Sequence, residues 1–343
     1  MNLSPAFRQL LLRCCFVFTF VCALDVLALG QDLHYSQFYL NPLHLSPAAT
    51  GIFKGDLRVA GLYRSQWKNV PVAYETFSGA VDWKAIARQN NLLSVGFLLQ
   101  NDQAGDAGLS WLQVGATVGV AHALNENHTI SLGFGWAFLQ RRVDISGLKF
   151  KNQWGGDVFN PNLPTGESFN RSSAVAPSLS TGLQWHYAQS ETRSQIDIGG
   201  GIAHLNEPVV SLGDFDEKLS RRISFFSSAF WQINSRHDLI FITEWQQMTR
   251  AKELLFGAGI RRILSSGLAN ETVLHMTLTH RLGDAIIPAI QLERNNWTLG
   301  MSYDWNTSAF ETATRGRGGI EIAVIWRKIP APVFKNVKSC PVM

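Results

Sequence analysis

The residues able to do chemistry are scattered along this chain and never gather into a reactive signature. There is no Gly-x-Ser-x-Gly elbow, no His-Glu-x-x-His, no phosphate-cradling Gly-x-x-x-x-Gly-Lys and no Cys-x-x-Cys. His275 and His280 are the closest histidines within one strand-like segment. Their odd spacing puts them on opposite faces of a strand, so they cannot share a metal ion. His186 stands alone, as a lumen or interface histidine would. Cys14, Cys15 and Cys22 fall in the first 30 residues and only Cys340 lies beyond them, so an internal disulfide is not expected. These absences predict a protein that is not an enzyme and carries no cofactor or metal. A membrane hydrolase with a Ser or Asp beside a His at one rim is the weaker alternative.

The charges that do show a pattern point elsewhere. Arg58 and Arg64 alternate against Leu57, Val59, Tyr63 and Trp67, while Asp197, Glu244, Asp304 and Glu321 each oppose an apolar face. In a β-barrel such charges face the lumen. There they either line a selective pore or binding channel, or pair with one another and pack the interior. The second outcome is the favoured expectation.

The elements that must position these side chains are strands. From Ser110 to His122 the even positions read Leu112, Val114, Ala116, Val118 and Val120 against Gln113, Gly115, Thr117 and Gly119. Ile130, Leu132, Phe134, Trp136 and Phe138 repeat the scheme after a turn at Asn125-Glu126-Asn127, which predicts an antiparallel hairpin. Val175 to Tyr187, Trp297 to Trp305 and Gly318 to Arg327 continue it. In the last, Ile320, Ile322, Val324 and Trp326 oppose Glu321. About fourteen such segments follow from Leu57 onward, each near the ~10 residues of a transmembrane strand. Short links at 124–128 and 189–193 alternate with long polar stretches at 144–173 and 205–219, as periplasmic turns alternate with external loops.

Composition agrees. Charged residues are 16% of the 343, against about 25% in soluble proteins, and Trp (11) and Phe (21) are plentiful. After residue 30 no apolar run is long enough for a spanning helix. The net charge of +4 is spread without a block of like charges, so a nucleic-acid partner is not expected. Arg8 and Arg13, the apolar run Cys14–Leu24 and Ala28-Leu29-Gly30 have the layout of a signal peptide. The expected organisation is a signal peptide at 1–30, a pre-barrel segment at 31–55, an outer-membrane barrel at 56–328 and a tail at 329–343. The pre-barrel segment has prolines and no clean alternation. It is expected either to plug the lumen or to face the periplasm as a docking peptide.

The stretch from Asp32 to Gly51, with Ser36, Gln37, Asn41, Pro42 and Pro47, resembles the opening of the PorP/SprF family of outer-membrane proteins from the type IX secretion and gliding machinery of Bacteroidota. The resemblance continues through Tyr63-Arg64-Ser65-Gln66-Trp67, Asp102 to Gly105, His204 to Pro208, Tyr303-Asp304-Trp305-Asn306 and Cys340-Pro341. It implies an antiparallel barrel of about fourteen strands like that of the long-chain fatty acid transporters. It also implies contact with periplasmic secretion-ring and peptidoglycan-linked subunits, or with a secreted surface protein or its C-terminal domain, beside outer-membrane lipid. A channel for a hydrophobic or small solute is the alternative function.

Overall fold

Period-2 alternation becomes a single closed sheet. The computed structural model describes residues 32–329 apart from 67–73, 106–107, 145–147, 156–157, 167–170, 190, 214–216, 266–270 and 309–315. The expected signal peptide, Trp67 and Cys340 therefore lie outside the described residues.

Fourteen antiparallel strands form the wall. They are β1 (Leu57–Gln66), β2 (Tyr74–Arg88), β3 (Asn91–Ala104), β4 (Leu109–Ala123), β5 (His128–Arg142), β6 (Ser173–Ala188) and β7 (Gln195–Ala203), then β8 (Arg222–Gln232), β9 (His237–Met248), β10 (Ala251–Ser265), β11 (Thr272–Arg281), β12 (Ala285–Arg294), β13 (Trp297–Asn306) and β14 (Arg317–Lys328). Each pairs with its chain neighbours, and β1 closes on β14 from Leu57 opposite Lys328 to Gln66 opposite Gly319. Closure leaves no unpaired edge, which is what a sheet in lipid requires. The strands β2 to β6, and β10, run 14–16 residues, longer than the ~10 needed to cross a bilayer, so these strands extend beyond the membrane.

The outer face is the greasy one. Ile130, Leu132, Phe134, Trp136 and Phe138 are all exposed on β5, and β13 alternates exposed and buried through all ten residues. Aromatics collect at the ends, where amphipathic rings sit at headgroup level. Trp297 and Trp326 face each other across β13 and β14 with ring centres 6.4 Å apart, and Trp305 marks the other end of β13. No helix among the described residues is long and apolar enough to cross a membrane.

The links β2–β3, β4–β5, β6–β7, β8–β9, β10–β11 and β12–β13 lie at the rim where β1 starts and β14 ends. All are short, which assigns that rim to the periplasm. The opposite rim carries the long connections 143–172 and 204–221.

Candidate functional site: a plugged lumen above a periplasmic bowl

Ahead of β1 the chain forms two 3-10 turns, Phe38–Leu40 and Pro47–Ala49, flanking a single α-helical turn, α1 (Pro42–Leu45). Pro42 and Pro47 each open their turn, where a missing N–H costs nothing. Ser46 caps the second turn by accepting a hydrogen bond from Ala48 N at 3.2 Å. Each turn is too short to persist alone. The barrel holds them instead, for this segment runs inside the lumen, and Tyr35, Phe38, Leu43, Leu45 and Ala48 are buried there. Of the two expectations for the pre-barrel segment, the plug is the one realised. A peptide buried in this way is not displayed for docking.

Apolar packing fills its middle. Phe38 and Leu45 sit on Phe226, Ile240, Ile242, Leu255 and Ile287, inward-facing residues of β8, β9, β10 and β12. Tyr35 and Leu40 pack with Leu62, Ala323 and Ile325 on the other side. Each large side chain so buried contributes roughly 1.5–3 kcal/mol. Close approach on the remaining side needs residues without side chains. A Cβ on Gly133 would collide with the backbone of Pro47 and Ala48.

Three polar latches fasten the segment. In the first, Ser36 Oγ donates to Asp304 Oδ1 at 2.6 Å, and the backbone N–H groups of Ser36 and Gln37 donate to the two Glu321 oxygens at 2.8 and 2.6 Å. Arg64 and Arg281 both reach Asp304 Oδ2, at 2.9 and 2.8 Å, and Arg281 also donates to Ser36 Oγ. All of these side chains are buried. In the second latch, Asp32 is held by Arg222 at 3.0 Å and His204 at 3.1 Å, while His204 Nδ1 meets Ser178 Oγ at 2.9 Å. Arg222 also donates to the His44 ring and carbonyl. In the third, Gly51 N donates to Asp82 Oδ2 at 2.8 Å, and Arg58 grips the same carboxylate with two donors. Gly51 has φ +78°, and a Cβ there would collide with Ser94.

Burial and then the Arg222 charge drive the His44 imidazole down to about 3, so it is neutral in the plug. Burial alone would raise the Asp32 carboxyl, but Arg222 and His204 outweigh it and hold Asp32 well below the usual carboxylate range.

The sequence motifs are thus distributed around one object. Ser36, Gln37, Arg64 and Asp304 converge on the first latch and His204 on the second. Asn41 Nδ2 donates to Ser78 Oγ at 3.0 Å, and Gln66 lies against the Arg64 guanidinium. Asp102 accepts from Thr76 on the inner wall, and Asn306 is buried at the end of β13. Tyr303 faces outward, Gly105 sits in the β3–β4 turn with φ +70°, and Pro208 lies in the external β7–β8 connection, so these three take no part in the latches. Arg222 and Arg281 are functional residues that the motifs miss. Both are inward-facing cations on strands with apolar outer faces, the same signal that marks Arg58 and Arg64. His275 faces inward and His280 outward against Phe256, as their spacing requires. Among the described residues no group of three His, Cys, Asp or Glu side chains could hold a metal ion.

Below the plug the lumen is open. A cavity of about 550 Å³ lies in the periplasmic half, with Tyr39 and Leu40 of the plug as its ceiling. Its walls come from the periplasmic ends of the strands, among them Thr129, Gln195, Glu293 and Arg327.

A closed barrel with an apolar aromatic-edged exterior and a polar, plugged interior is an outer-membrane β-barrel protein. Residues 28–325 match the profile of the family described as type IX secretion system membrane protein PorP/SprF, and the chain belongs to that family. No curated protein matches it by sequence. Solved structures similar to it include a deltaS2S3 mutant of the TodX monoaromatic hydrocarbon channel, at 8% identity and TM-score 0.48 over 81% of this chain and 91% of that one. A Pseudomonas aeruginosa FadL homologue is similar at 8% identity and TM-score 0.41, over 82% and 92% of the two chains. The translocator domain of the autotransporter NalP from Neisseria meningitidis is similar at 10% identity and TM-score 0.34, over 84% and 94%.

Proposed function

We propose that this protein is a non-enzymatic docking component of the type IX secretion and gliding machinery. In this reading it engages secretion-ring and peptidoglycan-linked subunits at its periplasmic rim, or anchors a secreted surface protein through that protein's C-terminal domain at the external rim. The observation that carries it is the latched plug. The plug is held above a wide periplasm-facing bowl by a buried ion pair of its own, Asp32–Arg222, and by hydrogen bonds to two buried wall ion-pair clusters, at Asp304 and at Asp82. A solute channel would have to break those latches on every passage, whereas a fixed plug stiffens a wall that partners grip. The continuous ladder between every pair of neighbouring strands also favours docking over lateral release of a solute.

The test is an affinity pull-down of the tagged protein from detergent-solubilised outer membranes of its native host, with mass spectrometry of the co-purifying chains. Recovery of secretion-ring subunits or of a large surface protein is expected. A protein that comes away alone and conducts solutes in planar bilayers would overturn the reading.

A further inference from the structure

We propose that the periplasm-facing bowl is a socket for a short peptide segment of a periplasmic partner, one that carries a large apolar side chain next to an acidic one. The proposal rests on the docking reading and specifies the chemistry of its inner contact.

The volume is that of a binding site. About 550 Å³ falls within the roughly 300–1,000 Å³ of pockets that enclose a ligand. The upper part is apolar, for Tyr39, Leu40, Phe230, Ile240, Ile242 and Ile325 all line it. Such a ceiling takes one large apolar side chain. The walls are different in kind. Thr129, Gln195, Ser228, Gln291 and Thr298 present donors and acceptors around the cavity. An acyl chain would leave those groups without partners at a cost per group, whereas a peptide backbone satisfies them.

One buried group is already waiting for such a partner. His275 is 5% exposed and lines the bowl, yet its Nε2 has no hydrogen bond, and Glu293 Oε2 stands 3.6 Å away. Arg327 Nε beside them is likewise unpartnered, although its Nη2 holds Glu293 at 2.7 Å. A backbone amide entering between His275 and Arg327 has both a donor and an acceptor to offer.

Charge selects the second side chain. On the β1–β2 side of the bowl, the Arg58 guanidinium and the Lys84 ammonium stand 4.7 and 5.2 Å from the Phe53 ring centre. Arg58 is matched by Asp82, but Lys84 bonds only to the Phe53 carbonyl, at 2.9 Å, and neither it nor the exposed Lys54 makes an ion pair among the described residues. An acidic side chain on the incoming segment completes that side.

The test uses the full-length protein in its native host, with benzoylphenylalanine replacing Gln195 at the lip, irradiation of whole cells, and tandem mass spectrometry of the cross-linked digest. Adducts are expected to converge on one segment of a periplasmic protein, with an aromatic or large aliphatic residue within two positions of an Asp or Glu. Ser228→Trp, which narrows the bowl, and Lys84→Glu are each expected to cut recovery of that partner by about tenfold or more, the loss of one anchor. Heat-dependent gel migration confirms that both variants remain folded barrels. Adducts to lipid alone, or undiminished partner recovery with both variants, would overturn the socket and leave docking at other surfaces intact. If the unaltered protein recovers no partner at all, the docking reading itself falls, and the socket with it.

Discussion

At the scale of the residue, Asp304 carries the most. It accepts from Ser36, Arg64 and Arg281 at once, with 3% of its side chain exposed. Removing one partner from a buried ionic network leaves the others desolvated and unmatched, a cost of roughly 3–5 kcal/mol. Asp304→Ala is therefore expected to lower the barrel's unfolding free energy, read by denaturant titration, by that amount. Tyr303→Phe, one position away on the lipid face, is expected to change it by less than about 0.5 kcal/mol. Equal effects from the two would mean that the latch does not hold the structure. Alternation alone identifies Arg64, Asp304 and Glu321 as inward charges, and the same rule applies to Arg222 and Arg281. What alternation cannot supply is the pairing. Ser36 and Asp304 are 268 positions apart, and only closure of the barrel brings them together.

At the scale of the element, the plug is the part least legible in the sequence. Its residues have neither a 2.0 nor a 3.6 period, because their environment is a tube that surrounds them and not a single face. The glycines that admit it are visible only as small residues on inner faces. Gly133→Val would drive a branched side chain into the Pro47–Ala48 backbone. The strand ladder has no need of a glycine there, so the barrel is expected to form while residues 45–50 lose hydrogen-exchange protection. Unchanged protection would show that the close approach is not needed.

Acid should loosen the same element. Free histidine titrates near 6.5, whereas His44 in the docked plug titrates at about 3, so the undocked segment takes up a proton that the docked one refuses. Docking is thus fully stable above about pH 6.5 and weakens as pH falls toward 3. Asp32, held below its usual range, adds a further loss below about pH 3.8. Exchange protection over residues 33–50 is expected to fall between pH 7 and pH 4, and His44→Gln to flatten that part of the profile. A pH-independent profile in the native protein would contradict the assignment.

At the scale of the whole molecule, the number of strands, their outward faces and the asymmetry of the two rims were all readable from alternation and loop length. The excess length of β2 to β6 was not, since alternation continues without a mark where a strand leaves the bilayer. The closed wall and the plug are separable by construction. All fourteen strand pairings are made without residues 32–51, and the plug contributes only packing and latches inside them. Deleting residues 33–50 should therefore leave a folded barrel that opens a steady aqueous conductance in planar bilayers, while the intact protein stays silent. The deletion removes the Ser36 and Gln37 contacts of the first latch, the His44 contacts of Arg222 and the apolar packing at once, so the inner charges of Arg64, Arg281, Asp304 and Glu321 would then face water. An intact protein that conducts as well as the deletion would mean that the plug does not seal the lumen, and transport would replace docking as the function this barrel serves.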